Sequence, residues 1–308
     1  MAMRLLSQAL FGELPLLGLI LAGRRLRARR PGGMALALGV ALLLAVYVEA
    51  YHREPRDLQV RRHTADLTRG RPATGRVRIV HLSDLQTDRV GAYEERALRQ
   101  ALQERPDLIV MTGDFVQPRL EDTRARAGAD LRALLRRLDF DAPLGAFAVQ
   151  GDVDRDWPEL LAGTRVRCLT SEIATVDLPG GRRLSLVGLT LQQSRGAAPS
   201  AIRALVERAP AADLRVVIGH RPDFVVALGG LLHVDLALAG HTHGGQVVIP
   251  GLGPPVTHSS LPRRYASGLN SYEGIPLHVS TGIGMERRNA PQIRFLCPPE
   301  VAVLDLTY

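Results

Sequence analysis

The chain has 308 residues, with 46% hydrophobic and 23% charged side chains and a formal net charge of +8, which excludes a disordered, collagen-like or coiled-coil chain. Two cysteines, Cys168 and Cys297, exclude a disulfide scaffold and a four-thiolate zinc site. All 39 basic residues are arginine and aromatics make up only 4%, so nucleic acid is not an expected partner; the arginines gathered near the N-terminus read as membrane-flanking charge.

The first predicted element is a membrane anchor over residues 1–51, with one or two spans. Pro31–Val48 (PGGMALALGVALLLAVYV) runs for eighteen residues without a charge, about 27 Å of helix against a hydrocarbon layer of about 30 Å. Tyr47 and Tyr51 fall near its end, where amphipathic rings prefer the interface. An earlier apolar stretch, Leu5–Gly23, carries Glu13 and Pro15 and reads as the other half of a hairpin or as an interfacial segment. A cleaved signal peptide fits poorly, because five arginines (Arg24, Arg25, Arg27, Arg29 and Arg30) and a longer apolar run follow. The expected location is a bacterial-type cytoplasmic membrane. The arginine cluster favours a cytoplasmic loop and hence an extracytoplasmic domain, but Arg53, Arg56, Arg61 and Arg62 nearly balance it.

Residues 52–76 are polar, carry two prolines and read as a linker or edge strand. A domain is expected over 77–308. Strand-length apolar runs appear at Arg78–Leu82, Leu108–Thr112, Gly145–Val149, Leu184–Leu189, Leu214–Ile218 and Leu236–Ala239. Helical patterns lie between some of them, at Tyr93–Glu104 and Asp130–Leu138. After His243, the runs Gln246–Ile249, Leu277–Ser280, Ile293–Leu296 and Val301–Leu306 look like strands without helices. The predicted fold class is α/β, a two-sheet mixed β-sandwich flanked by helices and preceded by a transmembrane helix or hairpin.

Chemistry is concentrated at the strand ends. Asp84 follows RIVHLS, Asp114 follows LIVMTG, Asp152 follows AFAVQG, His220 follows LRVVIG, and His241 and His243 follow LALAG. The carboxyl ends of strands are where sites assemble in open α/β sheets. Singly, an Asp after Gly is a turn or cap and a loop His is solvated. Carboxylates and imidazoles at the same topological position on five strands instead suit divalent Mn, Fe or Zn.

These residues resemble the calcineurin-like metallophosphoesterases, whose pattern is D-x-H, G-D-x-x-D, G-N-H-D or -E, G-H and G-H-x-H. The counterparts are DLQ (Asp84–Gln86), GDFVQ (Gly113–Gln117), GDVD (Gly151–Asp154), GH (Gly219–His220) and GHTHGGQ (Gly240–Gln246). HVSTGIG (His278–Gly284) and RFLCPPEV (Arg294–Val301) resemble the membrane-attached branch that includes UDP-2,3-diacylglucosamine pyrophosphohydrolase-type proteins.

The resemblance implies two divalent ions bridged by Asp114, the first also held by Asp84, His243 and position 86, the second by Asp152, His220 and His241. Asp84, Asp114, His220, His241 and His243 would carry catalysis, and Arg221 would add a phosphate contact. The chain departs from the pattern at Gln86, where an amide replaces an imidazole and should weaken the first site. Asp152 replaces asparagine, Val153 replaces the histidine that serves as proton donor, and Gln117 replaces the last aspartate of G-D-x-x-D. The implied function is a metal-dependent phosphoester or pyrophosphate hydrolase at the membrane, acting on a phosphorylated small molecule or a lipid-linked nucleotide. The alternative is a catalytically weakened, metal-binding pseudoenzyme that senses or scaffolds. No obligate protein partner is evident.

Overall fold

The computed structural model describes residues 14–28, 31–231, 234–287 and 291–308. Residues 5–13 of the first expected apolar stretch, Glu13 included, and Arg29 and Arg30 lie outside the described residues. Two helices come first, α1 (Leu14–Arg27) and α2 (Gly33–Val48). They pack as an antiparallel hairpin with Gly18 against buried Val40, where a Cβ on Gly18 would meet Val40 Cγ2 at 2.5 Å; small residues permit such close helix approach. Helix α2 continues through a wider π turn, Glu49–Arg53, and a 3₁₀ turn, Glu54–Arg56. Gly33–Arg56 is long and apolar enough to cross a membrane, and Met34, Leu38 and Leu42 on it are exposed.

The rest folds as two six-stranded sheets. The first contains β1 (Gln59–Asp66), β2 (Arg76–Leu82), β3 (Leu108–Met111), β4 (Ala146–Ala148), β5 (Val166–Cys168) and the last strand, β12 (Glu300–Thr307). Its order is β1-β12-β2-β3-β4-β5, parallel except between β12 and β2. The second contains β6 (Glu172–Leu178), β7 (Arg182–Gly188), β8 (Leu214–Ile218), β9 (Leu236–Ala239), β10 (Gly268–Tyr272) and β11 (Ile275–Val279). Its order is β10-β11-β9-β8-β7-β6, antiparallel only in the two outer pairs.

Period-two alternation sorts side chains between the layers. Ile79, Leu108 and Val110 face Leu186, Val216 and Leu238 between the sheets. Their neighbours Val80, Ile109 and Met111 pack outward under α3 (Ala92–Gln103) and α4 (Arg124–Arg137). Val187, Val217 and Ala237 pack under α6 (Pro199–Glu207), which follows the short α5 (Leu191–Ser194), and α7 (Val225–Leu228). This is the expected two-sheet sandwich with helices on both outer faces.

Gln59–Asp66, inside the stretch read as linker or edge strand, is an edge strand, paired along its length with β12. Two details differ from the sequence reading. Gln246–Ile249 and Ile293–Leu296 are not strands; they meet only at a single parallel bridge between Val247 and Phe295. Their N–H groups are spent on turns and on other segments instead: Val247 on Gly245, Ile249 on Gly253, Ile293 on Pro291, Arg294 on Ala50 and Leu296 on Glu54. Strands β5, β6 and β10 carry too few contiguous apolar residues to stand out.

One buried arginine ties the C-terminal segment together. Arg294 is fully buried and donates to the carbonyls of Thr281, Gly282, Gly284 and Cys297 at 2.6–3.2 Å. Arg294→Met is expected to lower stability by at least about 3 kcal/mol, because it leaves several buried carbonyls unpaired. Arg294→Lys should recover only part of this, since an ammonium lacks the planar fork. Chemical denaturation of the detergent-solubilised chain measures both.

Candidate metal centre

Both sheets deliver their carboxyl ends to one place. Asp84 and Gln86 follow β2, Asp114 follows β3, Asp152 follows β4, His220 follows β8, and His241 and His243 follow β9. Asp84, Gln86, Asp114, His241 and His243 all have φ between 36° and 69°, the left-handed region that costs a non-glycine residue free energy and marks functional turns. Glycines make the convergence possible. A Cβ on Gly151 would collide with the Asp114 backbone and carboxylate, and one on Gly240 with the Ser83 hydroxyl.

The seven expected ligand residues form one continuous cluster. Asp84, Asp114 and His220 offer donor atoms all within 4.8 Å of one another, and so do Asp152, His220 and His241. His241 Nδ1 lies 2.9 Å from Asp152 Oδ2, His220 Nε2 lies 3.5 Å from Asp114 Oδ2 and 3.4 Å from Asp152 Oδ2, and His243 Nε2 lies 3.4 Å from Asp84 Oδ1. His220 thus reaches both groups rather than the second alone. The Gln86 amide nitrogen donates to Asp114 Oδ2 (3.0 Å) and Glu286 Oε2 (3.3 Å), and its buried oxygen has no hydrogen-bond partner among the described residues. His243 Nδ1 is likewise buried and without a hydrogen-bond partner among the described residues.

The titration behaviour follows from crowded carboxylates. Burial raises Asp84 to about 7, with His220 opposing and Asp114 reinforcing the rise. Burial lowers the His220 imidazolium, but Asp114, Asp152 and Asp84 overcome this and hold it well above its ordinary value. Burial also lifts Asp152, yet hydrogen bonds from His220, His241 and Arg221 outweigh it and keep the carboxyl far below its usual range. His243 is driven well down, first by burial and then by Arg294. A set of buried carboxylates and imidazoles, with an amide oxygen and a ring nitrogen left unpaired, fits one or more divalent cations.

Supporting contacts fix these donors. His220 Nδ1 donates to the Thr112 carbonyl at 2.7 Å, which turns Nε2 toward the carboxylates. The Thr112 hydroxyl donates to Ser83 and meets buried His81. Asp154, which sequence reasoning leaves without a role, accepts the backbone N–H groups of Gly151, Asp114 and Phe115 at 2.8 Å; the acidic last position of the G-N-H-D pattern was the available signal. Burial, then the neighbouring Asp114, pushes Asp154 up to about 7. Gln117 joins Gln86 on Glu286, donating at 2.7 Å, a residue with no sequence signal. Arg221 does not stand free for phosphate alone: its Nε donates to Asp152 Oδ2, while Arg195 holds Oδ1.

Two outcomes follow. Asp154→Asn places amide hydrogens against backbone donors, and loss of such a support typically costs about 10–100-fold in metal affinity; manganese binding followed by electron paramagnetic resonance should show that loss with circular dichroism unchanged. A cation must also displace the proton that His220 holds with its raised pKa. Apparent manganese affinity should therefore rise with pH, with proton release on binding visible by calorimetry in two buffers.

The profile of the family described as calcineurin-like phosphoesterase matches residues 77–245. The chain is 26% identical to the uncharacterized metallophosphoesterase YkuE of Bacillus subtilis, over 88% of this chain and 93% of that protein. It is 29% identical to the phosphodiesterase YaeI of Escherichia coli, over 74% and 82%. It is 25% identical to the UDP-2,3-diacylglucosamine pyrophosphatase LpxG of Chlamydia muridarum, over 87% and 95%. With more than half of its length matched by that profile, the chain belongs to the calcineurin-like phosphoesterase family.

Proposed function

We propose that the chain is a metal-dependent hydrolase of phosphoester or pyrophosphate bonds, held in a membrane by α2 and acting on a lipid-linked phosphate. The observation that carries this reading is the convergence of Asp84, Gln86, Asp114, Asp152, His220, His241 and His243, with unpaired Gln86 and His243 atoms among them. Asp84, Asp114, His243 and the Gln86 oxygen would hold one ion, and Asp114, Asp152, His220 and His241 the other. Bound divalent ions supply Lewis acidity toward phosphate oxygens and toward water. Arg195 and Arg221 bring two guanidinium groups beside Asp152, where they steer an anionic substrate to the centre.

Val153 bears on the substrate. Its backbone N–H donates to Asp114 Oδ1 at 2.9 Å, but its side chain moves no proton. A leaving group that departs without protonation is therefore preferred, as in a nucleotide-linked pyrophosphate. The name of the relative LpxG supports the same class. UDP-sugars are cytoplasmic, whereas the arginine bias leans the domain outward; a reporter fused to the C-terminus decides the side.

The test is hydrolysis of bis-p-nitrophenyl phosphate against manganese concentration. Manganese should load one site tightly and a second weakly, and His241→Ala should abolish turnover. Gln86→His should raise activity in part, by restoring an imidazole to the weaker site. Metal binding without turnover in the parent would favour the pseudoenzyme reading, to which Val153 already points.

A further inference from the structure

The residues that follow the metal ligands carry an unusual loop. Val247–Val256 (VVIPGLGPPV) has ten residues and no polar side chain, yet Ile249 is 41%, Leu252 58% and Val256 37% exposed. The loop turns back on itself through the Ile249–Gly253 bridge. Its two ends rest on the metal centre: Gln246 and His243 precede it, and the carbonyl of His258, just beyond it, lies 3.1 Å from His241 Nε2. A contiguous apolar tip of this kind on a water-facing surface marks a contact with something else.

What it contacts follows from its neighbours. Val248 N–H donates to the Phe295 carbonyl, and Phe295 N–H to that of Gln246, so the loop is stitched to residues 294–296. That segment is bonded in turn to the end of the apolar helix. Arg294 N–H donates to the Ala50 carbonyl, and the buried Glu54 carboxylate accepts the N–H groups of Leu296 and Cys297. Leu296 is itself 52% exposed. Tyr47 and Tyr51, the interface-type aromatics, pack against each other at 4.7 Å within the two helical turns before Glu54. The loop therefore sits beside the point where α2 leaves the bilayer, fastened there by backbone hydrogen bonds rather than hung on a tether.

We infer that Val247–Val256 and Leu296 form a second membrane contact, seated in the leaflet from which α2 emerges, and that the metal centre opens at the bilayer surface. The occupant is the lipid bilayer. The substrate is then a phosphoester or pyrophosphate carried by a lipid of that leaflet, its head at the metal centre and its acyl chains beside the loop. This rests on the anchored-hydrolase reading above.

The experiment places an environment-sensitive fluorophore on single cysteines of the full chain in lipid nanodiscs, in a Cys168→Ser background with buried Cys297 retained. Leu42→Cys reports the helix, Leu252→Cys the loop, and Ala211→Cys, exposed in the turn before β8, the opposite end of the sheet from His220. With lipid bearing a nitroxide near its headgroup, the Leu252 and Leu42 labels should lose most of their emission and the Ala211 label little. Quenching at Leu42 without Leu252 overturns the loop contact while leaving the anchor standing; no quenching at either removes the anchor and the inference together. A blue-shifted Leu252 label that lipid does not quench, with cross-linking between chains, assigns the surface to a second copy and also overturns it. As a functional arm, Ile249→Asp with Leu252→Asp should sharply lower hydrolysis of a bilayer-borne phosphoester and leave bis-p-nitrophenyl phosphate hydrolysis unchanged. An equal loss on both substrates argues against a role in reaching lipid.

Discussion

Carboxylates packed against one another out of water repel unless a positive charge stands among them. Asp84, Asp114, Asp152 and Asp154 meet in this way where the two sheets end, and much of the surrounding architecture answers that repulsion. Backbone N–H groups from Phe115, Gly151 and Val153 point at the carboxylates. His220 holds a proton against a burial that alone would remove it. Arg195 and Arg221 close on Asp152 from the open side. The left-handed turns at Asp84, Asp114, His241 and His243 persist because the three strands they follow, β2, β3 and β9, set their position. The arrangement is the electrostatic mould of a cation.

How far the sequence discloses this depends on the range of the interactions. Buried parallel strands such as Leu108–Met111 and Leu236–Ala239 are continuous apolar runs, legible one at a time. Polar residues that closely follow a strand inherit that legibility, so Asp84, Asp114, Asp152, His220 and the 241–243 pair could be read together. Strand β1 is different. Its alternating exposure gives no core signal, and its partner β12 lies at the far end of the chain. Glu286 and Arg294 act across long sequence separations, on Gln86 and Gln117 in one case and on carbonyls of the 281–284 loop in the other. No local pattern encodes such a contact. The two runs misread as strands fail because their N–H groups go to local turns and to Ala50 and Glu54 rather than to a neighbouring strand.

The departures from the family pattern fall into two kinds. At Val153 the side chain's chemistry is lost, but the loop does not depend on it: the Val153 N–H still binds Asp114 and Asp154 still pins the turn. A centre can thus lose a proton donor and keep its shape. At Gln86 the change is accommodated by a new neighbourhood. Two glutamine amides, Gln86 and Gln117, both donate to the Glu286 carboxylate, whose own N–H is taken by Gln246 Oε1. This fixes which way the Gln86 amide faces: with its nitrogen spent on two carboxylates, the oxygen is the atom left without a partner.

The same C-terminal loop links the centre to the apolar helix, and the path is short. Ala50 and Glu54 bind the backbone of residues 294–297. The Arg294 guanidinium binds the carbonyls of Thr281, Gly282 and Gly284. Ile283 and Gly284 donate in turn to the carbonyls of Ser83 and Asp84. Three sets of hydrogen bonds separate the end of the helix from Asp84. A flexible linker would leave the domain free to turn in any direction. Here the first strand follows the helix within three residues of Arg56, and buried charge occupies the joint, Glu54 on one side and Arg294 on the other. Reorienting the domain on the helix would strip the Glu54 carboxylate of the Leu296 and Cys297 N–H groups and part the Arg294 N–H from the Ala50 carbonyl, leaving buried groups unsatisfied. The helix end and the carboxylate–histidine cluster are therefore tied by hydrogen bonds rather than by a free linker.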